Sequence, residues 1–131
     1  MLPAWIGAWT LTAVLSGNST APRLYARGTR HIASTDSALT IVDDLVRIRG
    51  GVVHLEWSGT LDGRDYPVNG VEIFLTSAYR KVDDHTLELT QRVDGRAVVR
   101  ATLVLSADGK TITTTTTDGI TTATTVYRRQ T

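Results

Sequence analysis

Five glycine-containing pairs divide the chain at short intervals, and they constrain its fold more than any other feature. They are Gly50-Gly51, Asp62-Gly63, Asp94-Gly95, Asp108-Gly109 and Asp118-Gly119. Such pairs tolerate the positive φ angles of tight hairpin turns, and each lies between two runs rich in Val, Ile, Leu, Thr and Tyr. Because such short connections join neighbouring strands, the pattern predicts an antiparallel up-and-down meander.

The runs between these turns predict nine strands. Several carry apolar side chains on one face only, as Val53, Leu55 and Trp57 do against His54 and Glu56. An open sheet of this size would leave two exposed edges, which closure removes. We therefore predict an all-β, up-and-down antiparallel β-barrel of about eight to ten strands, as one domain over 1–131. The predicted strands are 7–15, 28–34, 39–49, 52–61, 71–80, 85–93, 96–106, 110–117 and 120–129, with a short helical turn possible in 17–27.

Charge and composition exclude several classes of function. Fourteen basic and thirteen acidic residues give a formal net charge of +1, which favours neither nucleic acid nor a membrane surface as partner. The chain has no cysteine, so disulfides, thiolate metal sites and a cysteine nucleophile are excluded. The apolar segment 1–15 has no basic residue before it and is interpreted as a first strand rather than a signal peptide. We expect a cytoplasmic protein, monomeric or homodimeric.

Four segments carry a resemblance to a known family. The sequence Gly7-Ala8-Trp9 resembles the G-x-W signature of lipocalins and related calycin barrels. The segment DGRDYPVNG over 62–70 is more specific, and with 5–11, 106–113 and 126–128 it extends the resemblance, to small bacterial lipocalin-like barrel proteins, over nearly the whole chain. The resemblance implies a barrel closed near Trp9, where Arg128 or Arg129 would cover the indole. It therefore implies a structural role for Trp9.

Motifs for metal binding, nucleophilic catalysis and phosphate binding are absent from the sequence. The three histidines, His31, His54 and His85, fall on different strands or strand ends, without ligand spacing. His54 and Glu56 share a strand face and are expected to form a surface pair. There is no G-x-S-x-G elbow, and no glycine-rich loop precedes a helix. We expect no metal and no cofactor.

The barrel interior is the remaining candidate site, because a barrel of about eight strands can hold one small ligand. With one Phe and one Met in the chain, large side chains to fill the interior are scarce, so a cavity is favoured over a solid core. Its lining would be apolar with a few hydroxyls. The candidate ligand-binding residues are Leu55, Trp57, Leu75, Tyr79, Leu87, Leu89 and Gln91, and other predicted inward residues are Leu11, Ala13, Leu15, Val53, Ile73, Ser77 and Val93.

Four polar residues are ambiguous in this pattern. Asp43 alternates with Leu39, Ile41 and Leu45, so either that face is inward with a buried carboxylate, or Val42, Val46 and Ile48 are inward; the exposed position of Asp43 is favoured. Tyr79 is the strongest candidate for a polar group in the lumen. Tyr66 would close a barrel mouth or anchor its loop. Arg100 can face either way, and an inward position would select an anion.

Three hypotheses of function follow. The first is binding of a small hydrophobic or amphipathic molecule in the lumen. The second is a cofactor-independent cyclase or isomerase acting on a flexible hydrophobic substrate in the same cavity, with Tyr79, Gln91, Tyr66 and Asp43 as candidate groups. The third is a solid barrel that acts through its outer surface or as a dimer.

Overall fold

The computed structural model describes residues 3–16, 25–35, 37–120 and 122–130, with the side chains of 13–16 left out. The described residues form one short 3-10 helix, Pro3–Trp5, and ten β-strands. Most of the predicted helical turn, 17–24, lies outside the described residues, and 25–27 belong to a strand. The strands are β1 (Gly7–Ser16), β2 (Tyr25–Thr35), β3 (Ala38–Arg47), β4 (Val52–Gly59), β5 (Tyr66–Asn69), β6 (Leu75–Asp83), β7 (Thr86–Val93), β8 (Arg96–Leu105), β9 (Thr111–Thr117) and β10 (Thr122–Arg129).

These strands form a closed barrel, as the sequence predicts. Each strand pairs antiparallel with its neighbours in sequence, and β1 pairs with β10 to close the sheet. Closure leaves no free sheet edge, which explains how so many strands of Val, Ile, Leu and Thr remain paired. Among the described residues, no helix has the length and apolar content needed to cross a bilayer.

The prediction is wrong between residues 60 and 75. It missed β5, which has only four residues and includes Pro67, too short a run for an alternating pattern to emerge. The strand predicted over 71–80 begins at Leu75. Gly70 explains the difference: its φ is +105°, and a Cβ there would lie 1.9 Å from the carbonyl oxygen of His54. The chain therefore turns at this glycine, and 71–74 form a loop.

Two halves of the barrel interior differ in packing. The end that contains the connections 60–65, 84–85 and 106–110 is filled with large side chains, and we call this region the packed half. The opposite end contains the connections 48–51, 70–74, 94–95 and 118–120, and we call the interior beside it the cavity half. The packed half consists of Trp5, Trp9, Ile32, Leu39, Ile41, Trp57, Leu87, Leu103, Leu105 and Ile112, each with less than a tenth of its surface exposed.

Trp9 and Arg129 close the packed half. The Trp9 side chain is completely buried, and the Arg129 guanidinium lies over its ring with Cζ 4.2 Å from the centroid. Arg129 also donates hydrogen bonds to the carbonyl oxygens of Ile6 and Gly109, at 2.7 and 3.0 Å, and of Ala4. These contacts confirm the structural role predicted for Trp9 and assign the covering cation to Arg129.

Candidate ligand-binding site

The cavity half encloses a cavity of about 290 Å³. Every strand except β5 contributes at least one lining residue, so the barrel itself forms the enclosure. Most lining side chains are apolar or carry a single hydroxyl. They are Leu11, Tyr25, Arg30, Asp43, Leu45, Leu55, Tyr79, Leu89, Gln91, Val99, Ala101, Thr114, Thr116, Ala123, Thr125 and Tyr127.

The candidate ligand-binding residues separate into two groups. Leu55, Tyr79, Leu89 and Gln91 line the cavity, and the Gln91 amide donates a hydrogen bond of 3.3 Å to the Ser77 hydroxyl. Trp57, Leu75 and Leu87 are not among the described lining residues. Of these, Trp57 and Leu87 are buried in the packed half, and Leu75 is half-buried at the first position of β6.

Trp57 is almost fully buried and is held by contacts with other residues of the barrel. Its indole N–H donates to the Ser77 carbonyl oxygen at 2.9 Å. The ring packs edge-on against Tyr79, with centroids 4.6 Å apart, and against Tyr66, with centroids 5.9 Å apart. Trp57 therefore belongs to the support beneath the cavity, where an aromatic cluster fixes the position of Tyr79.

Tyr66 is half-buried and does not line the cavity. Its hydroxyl lies 2.7 Å from the Thr60 hydroxyl and donates a longer bond of 3.4 Å to Asp62. Its ring occupies the space beside Gly59, where a Cβ would lie 2.3 Å from the ring. Of the two roles that the sequence left open for Tyr66, the structure supports the anchoring of its loop.

Arg100 and His54 take outward positions. Arg100 is exposed on the outer face of β8. His54 is exposed on β4, with its Nδ1 2.6 Å from Asp44 and its Nε2 3.7 Å from Glu56, as the predicted surface pair requires. Ile73 was predicted to face inward, but it lies in the loop after Gly70 and is more than half exposed. Ala13 and Leu15 fall outside the described side chains.

An ion pair between Arg30 and Asp43 lies inside the barrel. Arg30 Nε donates to Asp43 Oδ1 at 2.7 Å, and Nη2 lies 3.5 Å from Oδ2. The two side chains are only 13% and 15% exposed. The guanidinium also lies over the Tyr127 ring, with Cζ 4.5 Å from the centroid. These are the only charged side chains among the described residues that line the cavity.

This ion pair corrects the favoured prediction for Asp43. Leu39, Ile41 and Leu45 are buried, so Asp43 on the same face of β3 must point inward. The carboxylate is tolerated there because Arg30 lies directly opposite on β2, and a buried charge requires a partner. The sequence did contain a signal for the pair. If the predicted strands 28–34 and 39–49 form a hairpin whose turn is centred between residues 34 and 39, Arg30 and Asp43 lie opposite each other.

The surroundings of the pair affect the pKa values of the buried groups. Burial of the Arg30 guanidinium opposes its charge, but the field of Asp43, with smaller contributions from Tyr127 and Tyr79, raises its pKa above the ordinary value. Burial raises the pKa of Tyr79 to about 12, although the nearby Arg30 opposes this shift. Burial likewise raises the pKa of Tyr127. At neutral pH, Arg30 is thus charged and both phenols are neutral.

Two polar atoms of lining residues are buried without a hydrogen-bond partner among the described residues. They are Nη1 of Arg30 and Oγ1 of Thr114. A buried polar group without a partner costs about 1–3 kcal/mol, so native proteins rarely keep one without reason. Both residues line the cavity, and both atoms are able to donate a hydrogen bond.

The threonine-rich hairpin supplies a further part of the wall that sequence reasoning missed. Thr114 and Thr116 on β9 and Thr125 on β10 line the cavity, and register places Thr114 opposite Thr125. The sequence of this hairpin has no apolar-polar alternation, so its inward face was not identifiable from periodicity. Its phase follows from Ile112, which is fully buried two positions before Thr114.

Comparison with known proteins shows the fold of this chain. No family model matches the sequence, and no curated protein matches it. Among solved structures, the fluorescent protein UnaG superposes with a TM-score of 0.70 at 17% identity, covering 99% of this chain and 100% of that one. A Schistosoma mansoni fatty acid binding protein in complex with arachidonic acid gives a TM-score of 0.70 at 17% identity, covering 99% and 98%. The REP1-NXSQ fatty acid transporter gives 0.69 at 11% identity, covering 96% of each chain. The chain therefore has a calycin-type β-barrel fold.

Proposed function

We propose that this protein binds a small hydrophobic or amphipathic molecule in the cavity half of the barrel. One observation carries the proposal: a cavity of about 290 Å³ with a mainly apolar lining lies inside the closed sheet. Small-molecule sites are typically enclosed, mostly apolar and provided with a few polar groups that fix orientation. The volume is near the lower limit of the roughly 300–1,000 Å³ usual for such sites, so the ligand is expected to be small.

The outer surface at the cavity end supports an apolar ligand. Of the eight large hydrophobic side chains exposed among the described residues, all but Val82 and Val104 lie at or near this end. Clustering of exposed apolar side chains at one end commonly indicates an interaction site. An apolar molecule entering from this end would meet apolar contacts before it reached the cavity. The six are Ile48, Val52, Ile73, Phe74, Val98 and Ile120.

The similar structures support the same class of function. One is a fatty acid binding protein in complex with arachidonic acid, and another is a fatty acid transporter. Their identities to this chain are 17% and 11%, so we carry over the class of ligand only as part of the proposal. The narrower resemblance to small bacterial lipocalin-like proteins, the single domain over 1–131 and the cytoplasmic location remain predictions from sequence.

The catalytic hypothesis gains no specific support from the site. The Asp43 carboxylate is paired with Arg30. Burial raises the pKa of Tyr79 to about 12, whereas a general acid or base is most effective when its pKa lies near the working pH. Tyr66 lies outside the cavity. We therefore propose a binding protein rather than a cyclase or isomerase.

A substitution that fills the cavity tests the proposal. Ala101 on β8 is buried and lines the cavity, so Ala101→Phe would occupy the space that a ligand requires. We expect an apolar fluorescent probe to gain intensity with the wild-type protein and to lose at least about tenfold in affinity with Ala101→Phe. The matched control is Thr102→Phe, because Thr102 is the next residue and is exposed on the outer face. Equal probe binding by Ala101→Phe and the wild type would contradict the proposal.

A further inference from the structure

The polar group of the ligand can be inferred from the charge balance inside the cavity. We propose that the cavity binds molecules with an uncharged hydrogen-bond acceptor, such as an ester, ketone or alcohol oxygen, more tightly than molecules with a carboxylate. This inference rests on the proposed function. The proposal depends on three features: the Arg30–Asp43 ion pair, the unpartnered Nη1 of Arg30, and the absence of a second cation among the described lining residues.

The ion pair removes the positive charge that a carboxylate would need. The Asp43 carboxylate accepts hydrogen bonds from two of the three guanidinium nitrogens of Arg30, Nε at 2.7 Å and Nη2 at 3.5 Å. Their opposite charges cancel, so a carboxylate placed beside Arg30 would lose its water without gaining a net counter-charge. It would also lie near the Asp43 carboxylate, and like charges at short range repel strongly where water is excluded.

The third guanidinium nitrogen remains as a hydrogen-bond donor. Nη1 of Arg30 is buried without a partner among the described residues, as is the hydroxyl of Thr114. A guanidinium nitrogen only donates, and a threonine hydroxyl can donate as well. A neutral carbonyl or hydroxyl oxygen that reaches one of these side chains would accept from such a donor, and it enters the cavity with a far smaller loss of hydration than an anion.

The other cations near the barrel interior do not change this balance. Arg100 on β8, which would bind an anion if it pointed inward, is exposed on the outer face. Arg129 lies over Trp9 in the packed half and is occupied by three backbone carbonyl oxygens. The remaining polar lining residues are one glutamine, three tyrosines and three threonines, and none of them supplies a positive charge. The lining thus suits a neutral polar group.

The test compares ligands that share a hydrocarbon chain and differ in the polar group. Decanoic acid, decanol and methyl decanoate are titrated at neutral pH against the wild-type protein carrying an apolar fluorescent probe, and displacement gives each affinity. We expect methyl decanoate and decanol to bind at least about tenfold more tightly than decanoate. Decanoate binding as tightly as methyl decanoate, or more tightly, would overturn the proposal on the wild-type protein alone.

A substitution at Asp43 tests the cause of the selectivity. In Asp43→Asn the amide oxygen still accepts from Arg30 Nε, but the guanidinium charge is no longer cancelled. We expect decanoate to gain about tenfold in affinity relative to methyl decanoate. The matched control is Asp44→Asn, which removes the same charge from an outward, exposed neighbour and should leave the ratio unchanged. An unchanged ratio in folded Asp43→Asn would overturn the assigned role of the ion pair.

The two proposals fail in different ways in this experiment. If no probe and no ligand binds the wild-type protein, the proposed binding function is wrong and the selectivity has no site. If all three compounds bind but decanoate is preferred, the binding function stands and the inference about the polar group is wrong.

Discussion

The packed half and the cavity half share the same strands but differ in the size of the side chains that face inward. In the packed half, three tryptophans and several leucines and isoleucines fill the interior. In the cavity half, the corresponding positions of β8, β9 and β10 hold alanine and threonine, as at Ala101, Thr116 and Ala123. A barrel of ten strands encloses more volume than small side chains fill. Residue size along each strand therefore decides where this interior is solid and where it is hollow.

The largest expected effect comes from emptying the packed half. Trp9→Ala removes a fully buried indole and the surface on which the Arg129 guanidinium lies. We expect the free energy of unfolding to fall by about 3–5 kcal/mol, measured by urea denaturation with linear extrapolation. Ala101→Phe, which adds a ring to the cavity half, should cost clearly less than Trp9→Ala. A similar loss in both variants would contradict the division into a packed and a hollow half.

The next effect concerns the Arg30–Asp43 ion pair in the cavity lining. Asp43→Leu leaves the buried Arg30 charge without its partner, and we expect a loss of about 3 kcal/mol or more in the free energy of unfolding. The double variant Arg30→Met with Asp43→Leu removes both charges and should recover most of that loss. Urea denaturation of the two variants measures the difference. Equal destabilisation in both would show that the pair is not the source of the cost.

The smallest effect is expected on the outer face of β3 and β4, where His54 lies opposite Asp44. The pKa of His54 is raised above its ordinary value by the hydrogen bond between His54 and Asp44, and the negative charges of Asp44 and Glu56 add to this shift. A raised folded-state pKa stabilises the protein below the ordinary pKa near 6.5, and this contribution is lost as pH rises through the raised value. We expect a small fall in stability over that window, and a lower His54 pKa in Asp44→Asn, measured by NMR titration. An unchanged His54 pKa in Asp44→Asn would contradict this assignment.

The fold was largely predictable from sequence because its signals are local. The turn pair Asp94-Gly95 has positive φ angles at both residues, and alternation in β4 gave the correct inward face, with Val53 and Trp57 buried. The segment around β5 was not predictable from such patterns. A strand of four residues with a proline carries almost no periodic signal, and its place depends on contacts with β4 and β6 that are distant in sequence.

The site was predictable in part, for a physical reason that the ion pair illustrates. Leu55, Tyr79, Leu89 and Gln91 follow from alternation on single strands, and all four line the cavity. The inward position of Asp43 depends on its partner on another strand, and a pattern read along one strand assigns a carboxylate to the surface. Such pairs become visible when the hairpin register is considered together with the pattern.

The central proposal is that a small apolar molecule binds in the cavity half and not on the outer surface. Backbone amide NMR spectra recorded with and without methyl decanoate test it most directly. We predict that the largest shift changes fall on the strand segments that line the cavity, around Leu55, Gln91 and Thr116, while the amides around Trp9 and Ile112 in the packed half change little. Shift changes confined to outward-facing positions, or spread evenly over both halves, would contradict the claim.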